Sequence, residues 1–353
     1  MFALTLDERL TAATTGALEL FGVYLGTRLG LYRGLAGSAG LTPGGLADRA
    51  GIHPRYAREW LEQQAVAGLL EVDDVTGPAE DRRYRLPDGH EGALLTVDDP
   101  AHVAPFADMV VGIAQALDDV VTAYRDGTGV PYTRYGQNFQ RGQGGINRPA
   151  FSRDLTGSWL PAVPHLHTRL SRPGARIADV GCGHGWSTIA LADAYPGADV
   201  LGIDDDPASI DQARSNAATA GSTARHLRAD AASLVDHGPF DAVLLLESLH
   251  DMARPADTLT ACRKALPTGG AVIVVDERVA PTFTAPGDLV ERMMYGWSIS
   301  HCLPAAMTDP STAAIGTVLR ESTLQALAAE AGFGSVRTVD VDAGFFRVYL
   351  LED

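Results

Sequence analysis

Three glycines at alternate positions, Gly181, Gly183 and Gly185, follow a short apolar run that contains Asp179. Residues with helical spacing of apolar side chains begin directly after them. Glycines in this arrangement let the chain turn sharply from a strand into a helix and let a flat ligand lie against bare main chain. The stretch 176–191 is therefore predicted to be a cofactor loop. The glycines alone do not distinguish NAD from another nucleoside cofactor.

Acidic residues follow the ends of the next predicted strands. They are Asp204 with its neighbour Asp205 after the second strand, Asp230 with Ala231 after the third, and Glu247 after the fourth. The carboxylate of Asp204 can accept hydrogen bonds from both hydroxyls of a ribose, and Asp230 can accept one from the amine of an adenine. Ligands of open α/β sheets bind across the carboxyl ends of the strands, so these acids and the glycines together predict one nucleoside site. Each acid taken singly is also compatible with an ordinary surface aspartate or glutamate.

A histidine lies where an acceptor molecule would meet that cofactor. His250 comes three residues after Glu247, in the stretch L-L-L-E-S-L-H-D, and Asp276 ends the fifth predicted strand. A neutral imidazole has a suitable pKa for taking a proton from a phenol or a similarly acidic hydroxyl. The alternative is a histidine that caps a turn and an aspartate at the surface of the sheet.

The C-terminal half carries seven strand candidates. They are residues 176–180, 199–203, 224–228, 240–246, 271–275, 335–341 and 345–351. Helical patterns separate the first six, and only three residues separate the last two. This order predicts a parallel sheet with right-handed crossovers that ends in an antiparallel hairpin. The expected fold class is α/β, with a seven-stranded Rossmann-like sheet whose last strand is antiparallel.

The N-terminal segment is predicted to form three helices and a short hairpin. The helices end near Gly30, cover 41–50 and run from Pro54 to Gly68, and the strands cover 69–72 and 82–86. This order is typical of a winged helix, which either binds DNA or serves dimerisation and covers a substrate. Residues 1–95 hold nine Arg and no Lys against thirteen Asp and Glu, whereas DNA binding requires a basic face. The dimerisation role is therefore favoured.

The segment between the two halves is expected to line a cleft. A helix is predicted over 101–125, with Leu117 and Val121 among its buried residues, and another over 151–170. The stretch 126–149 is rich in glycine and aromatic residues and is predicted to be a packed, irregular connection. The predicted domains are a winged helix (1–95), a helical connection (96–170) and a cofactor-binding domain (171–353).

Five side chains are candidates for contact with the acceptor. Two lie in the irregular connection and three in an insertion over 280–315 that is interpreted as a lid: Tyr132, Tyr135, Met293, Trp297 and His301. Aromatic and methionine side chains commonly form the walls of small-molecule pockets, although they are more often plain core.

These motifs together resemble class I S-adenosylmethionine-dependent methyltransferases. The resemblance rests on D-V-G-C-G-H-G, the G-I-D that ends at Asp204, the A-D-A around Asp230 and the terminal hairpin, and it covers roughly residues 150–353. With the winged helix added, the chain is similar to the small-molecule O-methyltransferases of secondary metabolism. The resemblance implies S-adenosylmethionine as cofactor, S-adenosylhomocysteine as product, His250 as general base, Asp276 as the acid that orients it, and a homodimer built by the N-terminal domain.

Composition narrows the possible binding partners, cellular locations and metal sites. The 353 residues carry a formal net charge of −16, which opposes binding to nucleic acid. The N-terminus lacks a signal sequence, and no apolar run is long enough to span a membrane, so a cytoplasmic protein is expected. The three cysteines, Cys182, Cys262 and Cys302, show no metal-binding spacing, and no metal site is expected.

Three other functions stay open from the sequence. The same scaffold supports C- or N-methylation in place of O-methylation. A winged helix joined to a cofactor domain is also compatible with a transcriptional regulator that senses the cofactor. A third possibility is an enzyme that uses the positive sulfonium for electrostatic catalysis without transferring the methyl group.

Overall fold

The computed structural model describes residues 4–353, so the first three residues of the predicted domain 1–95 lie outside the described part. The described chain divides into two compact units. The first comprises the chain up to Ala114 together with Gln137–Pro149, and the second comprises Gln115–Gly136 with Ala150–Asp353. The domain boundaries near residues 95 and 170 stay a prediction.

The N-terminal part contains the expected helices and hairpin. Its elements are α1 (Leu6–Arg28), α2 (Leu31–Leu35), α3 (Pro43–Ala50), α4 (Pro54–Val66), β1 (Glu71–Val72), β2 (Tyr84–Arg85) and α5 (Glu91–Leu94). β1 and β2 pair antiparallel, and each is shorter than predicted. The short helix α2 was not predicted, because five residues are too few to show a helical repeat.

Helix α1 packs inwards through glycines as well as through apolar residues such as Val23. A Cβ atom at Gly26 would lie 2.4 Å from the ring of Tyr32 and 2.6 Å from that of Trp60. Both rings belong to the core of this unit, and the Trp60 indole donates a hydrogen bond to the carbonyl of Gly22. Most leucines of α1 remain on its outer side, whereas Leu20 is half-buried against the core.

Most of the segment 126–149, from Tyr132 onwards, is helical, so its prediction as an irregular connection is wrong. After α6 (Pro105–Asp126), a 3₁₀ turn covers Tyr132–Tyr135 and α7 covers Gly136–Pro149. The glycines that suggested irregularity allow close helix packing: a Cβ at Gly142 would lie 2.7 Å from the main-chain nitrogen of Met109. Along α6, Leu117 and Val121 are exposed, contrary to prediction, while the neighbouring Ala116 and Val120 are buried.

The predicted helix over 151–170 is also divided. A π-helical run covers Ala150–Trp159, and α8 begins only at Pro164 and ends at Leu170. Pro161 and Pro164 lack the N–H groups that a continuous helix would need, which explains the interruption.

The second unit contains the predicted seven-stranded sheet. Its strands are β3 (Arg176–Val180), β4 (Asp199–Asp204), β5 (Arg225–Arg228), β6 (Ala242–Leu246), β7 (Ala271–Glu277), β8 (Ser335–Thr338) and β9 (Phe346–Glu352). They lie in the order β5-β4-β3-β6-β7-β9-β8. β3 to β7 pair in parallel, and β9 pairs antiparallel with both β7 and β8. The predicted α/β fold with an antiparallel last strand is confirmed.

Helices follow the strands and cover the sheet. They are α9 (Trp186–Ala194), α10 (Pro207–Ala220), α11 (Pro255–Lys264), α12 (Leu289–Trp297), α13 (Leu303–Ala306) and α14 (Glu321–Glu330). The strands bury apolar side chains on both faces, which is the pattern of a parallel sheet between two helical layers. Within residues 4–353, no helix is both long and apolar enough to cross a bilayer.

Candidate active site

The glycine loop between β3 and α9 makes a turn through left-handed backbone conformations, which glycine adopts readily. Gly181, Gly183 and Gly185 have φ angles of +76°, +50° and +77°. A Cβ at Gly181 would lie 2.5 Å from the Cβ of Ser248, whereas a Cβ at Gly183 would meet no atom within 4 Å. Gly181 is therefore required by close packing against the residue after Glu247, and Gly183 leaves open space of the kind that a ligand can fill.

Asp179 is a fully buried carboxyl beside this loop. One of its oxygens accepts a hydrogen bond from the hydroxyl of Ser187, and Oδ1 has no partner. Burial is the main reason why the pKa of Asp179 rises to about 7, and the negative charge of Asp204 raises this pKa as well. An unpartnered buried carboxyl oxygen is suited to a cationic ligand group. Ser187 was not predicted, because a serine in the first turn of a helix carries no specific signal.

Asp204 ends β4 and is held by main-chain donors. Its Oδ2 accepts from the N–H of Gly183 at 2.9 Å, and its Oδ1 accepts from the N–H of Asp206 at 3.0 Å. Each carboxylate oxygen keeps a further lone pair for a ligand hydroxyl. The neighbouring Asp205 is exposed, and Asp206 caps α10 by accepting from Ser209. Of the three acids, Asp204 is the one fixed beside the glycine loop.

Asp230 lies after β5, as predicted, and is exposed. Its Oδ1 accepts a hydrogen bond from the N–H of Ala232 at 2.7 Å, which caps the 3₁₀ turn Ala231–Asp236. Ala231 is half-buried at the start of that turn. Contact of either residue with an adenine stays a prediction.

The structure brings His250 and Asp276 together. His250 lies in the 3₁₀ turn Leu249–Asp251 after β6, and Asp276 lies in the adjacent strand β7. The Nδ1 atom of His250 is 2.9 Å from Oδ2 of Asp276, and both residues are buried. The Nε2 atom is 3.5 Å from Oδ1 of Asp251. The carboxylate thus fixes one ring nitrogen and leaves the other as the reactive one.

Carboxylates dominate the electrostatics of His250. Burial acts to lower its pKa, but the negative charges of Asp276, Asp251 and Glu277 outweigh burial and hold the pKa well above 6.5. In the ligand-free protein these carboxylates therefore favour a bound proton on the imidazole. Any role as a base requires that this proton leave before the reaction.

Glu277 is a site residue that was not predicted. It is 5% exposed, its Oε2 is 3.9 Å from Nδ1 of His250, and that oxygen has no hydrogen-bond partner. Alternation along a strand would place Glu277 on the face opposite to Asp276. At the end of β7 both carboxyls nevertheless approach the same imidazole. The D-E doublet at the strand end was the only available signal.

Three of the predicted pocket residues lie together. The ring centroid of His301 is 5.6 Å from that of Tyr132 and 4.5 Å from that of Tyr135, and both contacts are edge-to-face. The hydroxyl of Tyr135 donates to the carbonyl of Ser300. The remaining two, Met293 and Trp297, are half-buried on α12. Contact of any of the five with an acceptor stays a prediction, as does the absence of a metal.

Family comparisons agree with this geometry. Residues 177–270 match the family described as "Methyltransferase domain", and residues 16–97 match the family described as "Rv2258c-like winged HTH domain". The chain therefore carries a methyltransferase domain preceded by a winged helix-turn-helix domain.

Curated relatives and solved structures that resemble the chain include several methyltransferases. A ubiquinone biosynthesis O-methyltransferase of Cereibacter sphaeroides is 39% identical over 109 residues, which are 31% of this chain and 43% of that protein. The chain thus aligns with less than half the length of this curated relative. The structure of the mitomycin 7-O-methyltransferase MmcR gives a TM-score of 0.68 at 18% identity and covers 98% of both chains. Human N-acetylserotonin methyltransferase, solved in complex with SAM, gives 0.68 at 17% identity and covers 100% of this chain and 99% of its own. Over its whole length the chain has the fold of these methyltransferases.

Proposed function

We propose that this protein is an S-adenosylmethionine-dependent methyltransferase that methylates a hydroxyl of a small molecule, with His250 as general base. The observation that carries the proposal is the buried His250–Asp276 pair, which lies at the ends of β6 and β7; β6 is the neighbour of β3, the strand before the glycine loop. A base held by a carboxylate beside a cofactor loop is the arrangement that proton removal during methyl transfer requires.

The residues of the loop fit this cofactor. The unpartnered Oδ1 of Asp179 can accept from the amino group of the methionine moiety, and Asp204 can accept from the ribose. The left-handed glycines leave the main chain open to a flat ligand. When bound, the cofactor supplies an electrophilic methyl group on a positively charged sulfur. The product would be S-adenosylhomocysteine.

The chain's own residues then handle the acceptor proton. Asp276 accepts the Nδ1–H of His250, so that a neutral ring presents Nε2 as proton acceptor. The acceptor hydroxyl gives its proton to Nε2 as the methyl group is transferred. Most of the rate enhancement would come from holding the two reactants in line, with the base contributing about 100-fold or more.

The proposal also covers the chemical class of the methyl acceptor and the cellular location of the protein. The names of the relatives favour O-methylation, and the aromatic contacts around His301 suit an aromatic or polyketide-like acceptor. All three cysteines are free and buried, which is in keeping with a reducing, cytoplasmic environment.

A homodimer completes the proposal. Large apolar side chains form an exposed stripe along α1 and its C-cap residue, namely Leu18, Phe21, Leu25 and Leu29. Their spacing places them on one side of the helix, and soluble monomers rarely expose such a continuous patch. We propose that this stripe packs against its counterpart in a second copy, because closed two-fold pairing is the commonest way to cover such a surface.

Replacement of His250 tests the proposed role. In His250→Ala, affinity for S-adenosylhomocysteine should change little, whereas methyl transfer to a panel of phenols, read as S-adenosylhomocysteine formed, should fall by about 100-fold or more. His237→Ala is the matched control, because His237 lies in a different turn and carries no proposed role. An unchanged rate in His250→Ala would remove the base from the mechanism.

A further inference from the structure

Glu247 occupies an unusual position at the centre of the site. It follows β6, so it lies between the glycine loop after β3 and the Asp276–Glu277 end of β7. Its N–H donates to the carbonyl of Val275, and the hydroxyl of the next residue, Ser248, donates to the carbonyl of Val180. Glu247 is thus fixed to both neighbouring strands. It stands between the residues proposed to bind the methyl donor and those proposed to bind the acceptor.

The backbone at Glu247 is strained. Its φ angle is +53°, and within the described residues it shares a positive φ with only one other non-glycine residue, Ala314. A glutamate in this region costs free energy that the surrounding structure must compensate. The conformation determines the direction in which the carboxyl leaves the end of the strand.

Two carboxyl oxygens in this cluster lack partners. Oε1 of Glu247 is buried without a hydrogen bond, and so is Oε2 of Glu277, whose side chain is more than nine-tenths buried. A buried acceptor without a donor is costly, and a buried carboxylate without a counter-charge costs more. The two carboxyls also interact with each other through a side-chain hydrogen bond, so they can share a proton, and a positively charged ligand group can take the place of that proton.

The local charges are strongly unbalanced. Four carboxyls surround one imidazole: Glu247, Asp251, Asp276 and Glu277 around His250. In the part of the chain that the structure describes, none of these carboxyls is ion-paired with an arginine or lysine. The other titratable side chains that interact with the cluster supply no fixed positive charge; they are Tyr132, Tyr135, His301, Cys302 and Tyr349.

Without a ligand, protons are the remaining source of positive charge. Burial raises the pKa of both Glu247 and Glu277, and the neighbouring carboxylates add to that effect. Because these groups and His250 interact strongly, the extra proton belongs to the cluster as a whole rather than to one residue. A fixed positive charge brought next to the cluster would displace that proton.

We propose that the acid cluster around Glu247 recognises the positive charge of the methyl donor by exchanging a bound proton for it, and so distinguishes the sulfonium of the donor from the neutral thioether of the product. This inference rests on the proposed function. The exchange balances: one proton leaves the cluster for solvent when the charged donor binds, and one returns when the product replaces it. The same exchange removes the positive charge that would keep His250 from acting as a base.

Calorimetry of the full-length protein tests the exchange without any turnover. Binding of S-adenosylmethionine and of S-adenosylhomocysteine is measured at pH 7 in buffers of different ionisation enthalpy, which gives the protons released by each. The donor should release about half a proton or more beyond the product. Between pH 6 and 8, the ratio of the product Kd to the donor Kd should rise with pH, by at most about tenfold per pH unit for one proton.

Variants assign the effect to the cluster. Both ligands carry an α-amino group that titrates near pH 8, so the decisive comparison uses the same ligand with wild type and variant. Glu247→Gln should lose the excess proton release and lower the preference for the donor by about tenfold, the effect of one pKa unit. Glu330→Gln, which removes an exposed acid at the end of α14, should behave as wild type. If Glu247→Gln does not fold, Glu277→Gln removes one acid from the same cluster and serves the same comparison.

The outcomes separate the two proposals. Equal proton release by donor and product in the wild type, or unchanged excess release in folded Glu247→Gln, would overturn the exchange and leave methyl transfer standing. Failure of both ligands to bind would refute the cofactor assignment itself, and the inference with it.

Discussion

Asp179 illustrates how the site is built at the expense of stability. Its side chain is fully buried, yet only one of its two oxygens is hydrogen-bonded. A carboxylate in such surroundings loses hydration that the single bond from Ser187 does not replace. A ligand that supplies the missing positive charge can offset this loss of stability. In the ligand-free protein the loss is not offset, so it should be measurable there.

The pH dependence of stability provides the test at this residue. Burial raises the pKa of Asp179 from 3.8 to about 7 in the folded protein, so its contribution to stability is lost as pH rises from about 4 through 7. At pH 8, Asp179→Asn should be more stable than wild type, on the order of 1–3 kcal/mol or about 2–6 °C in Tm, and the difference should shrink at pH 5. Thermal unfolding without ligand measures it.

The exposed Asp193 provides the matched control for that prediction. Asp193→Asn should leave the pH profile of Tm unchanged, because its carboxyl is hydrated in both states. Asp179→Asn should also weaken binding of S-adenosylmethionine by about tenfold or more, since an amide cannot offer a charged acceptor. A Tm difference that does not vary with pH would mean that Asp179 is ionised in the folded protein throughout this range, as it is in the unfolded chain, and would contradict a raised pKa.

The site residues that follow strand ends could be predicted from sequence, and those set by side-chain direction could not. Parallel pairing alone brings the ends of β3, β4 and β6 to one edge, which is why Asp179, Asp204 and Glu247 were predicted there. Glu277 depends on how the end of β7 turns its side chains. Ser187 depends on a single rotamer.

At the scale of elements, glycine was the residue most easily misinterpreted. In the loop after β3 it indicates a turn, and the positive φ angles agree. In α1 and α7 it indicates close packing instead, since Gly26 lies against Tyr32 and Gly142 against Met109. A single sequence does not distinguish these uses, because both require only that a Cβ be absent.

The outward-facing apolar stripe of α1 is predicted to control whether the protein dimerises. Leu18→Glu combined with Leu25→Glu should convert a dimer into a monomer, because burying two carboxylates in an apolar interface is unfavourable by several kcal/mol. Size-exclusion chromatography with light scattering measures the change. The folded monomer should persist, since both leucines are exposed in the single chain.

Ala13→Glu places a charge at an exposed position of the same helix outside the stripe and serves as control. It should leave the assembly intact, because residue 13 precedes the stripe and lies about a third of a turn away from it around the helix axis. A wild-type protein that is monomeric at micromolar concentration would contradict the proposed dimer directly.

At the scale of the whole molecule, charge bears on the role of the winged helix. The net charge is −16, and residues 1–95 contribute a local excess of acids. The arginines of α4, the helix that would read DNA, are already paired: Arg55 with Glu59, and Arg58 with Glu80 at 2.7 Å. Arg82 of the hairpin is paired with Glu62 of the same helix. The domain therefore offers phosphates few unpaired cations on this surface.

Fluorescence anisotropy with labelled duplex DNA tests this consequence. At 150 mM salt the wild type should show no binding tighter than about 10 µM, because each phosphate contact needs a cation that here already faces a carboxylate. Replacing the three partner acids, in Glu59→Lys, Glu62→Lys and Glu80→Lys combined, should produce weak, salt-sensitive binding, which shows that the assay detects a basic face. Binding of the unmodified protein to one particular duplex below about 1 µM, with competition by that duplex alone, would establish instead a cofactor-sensing regulator.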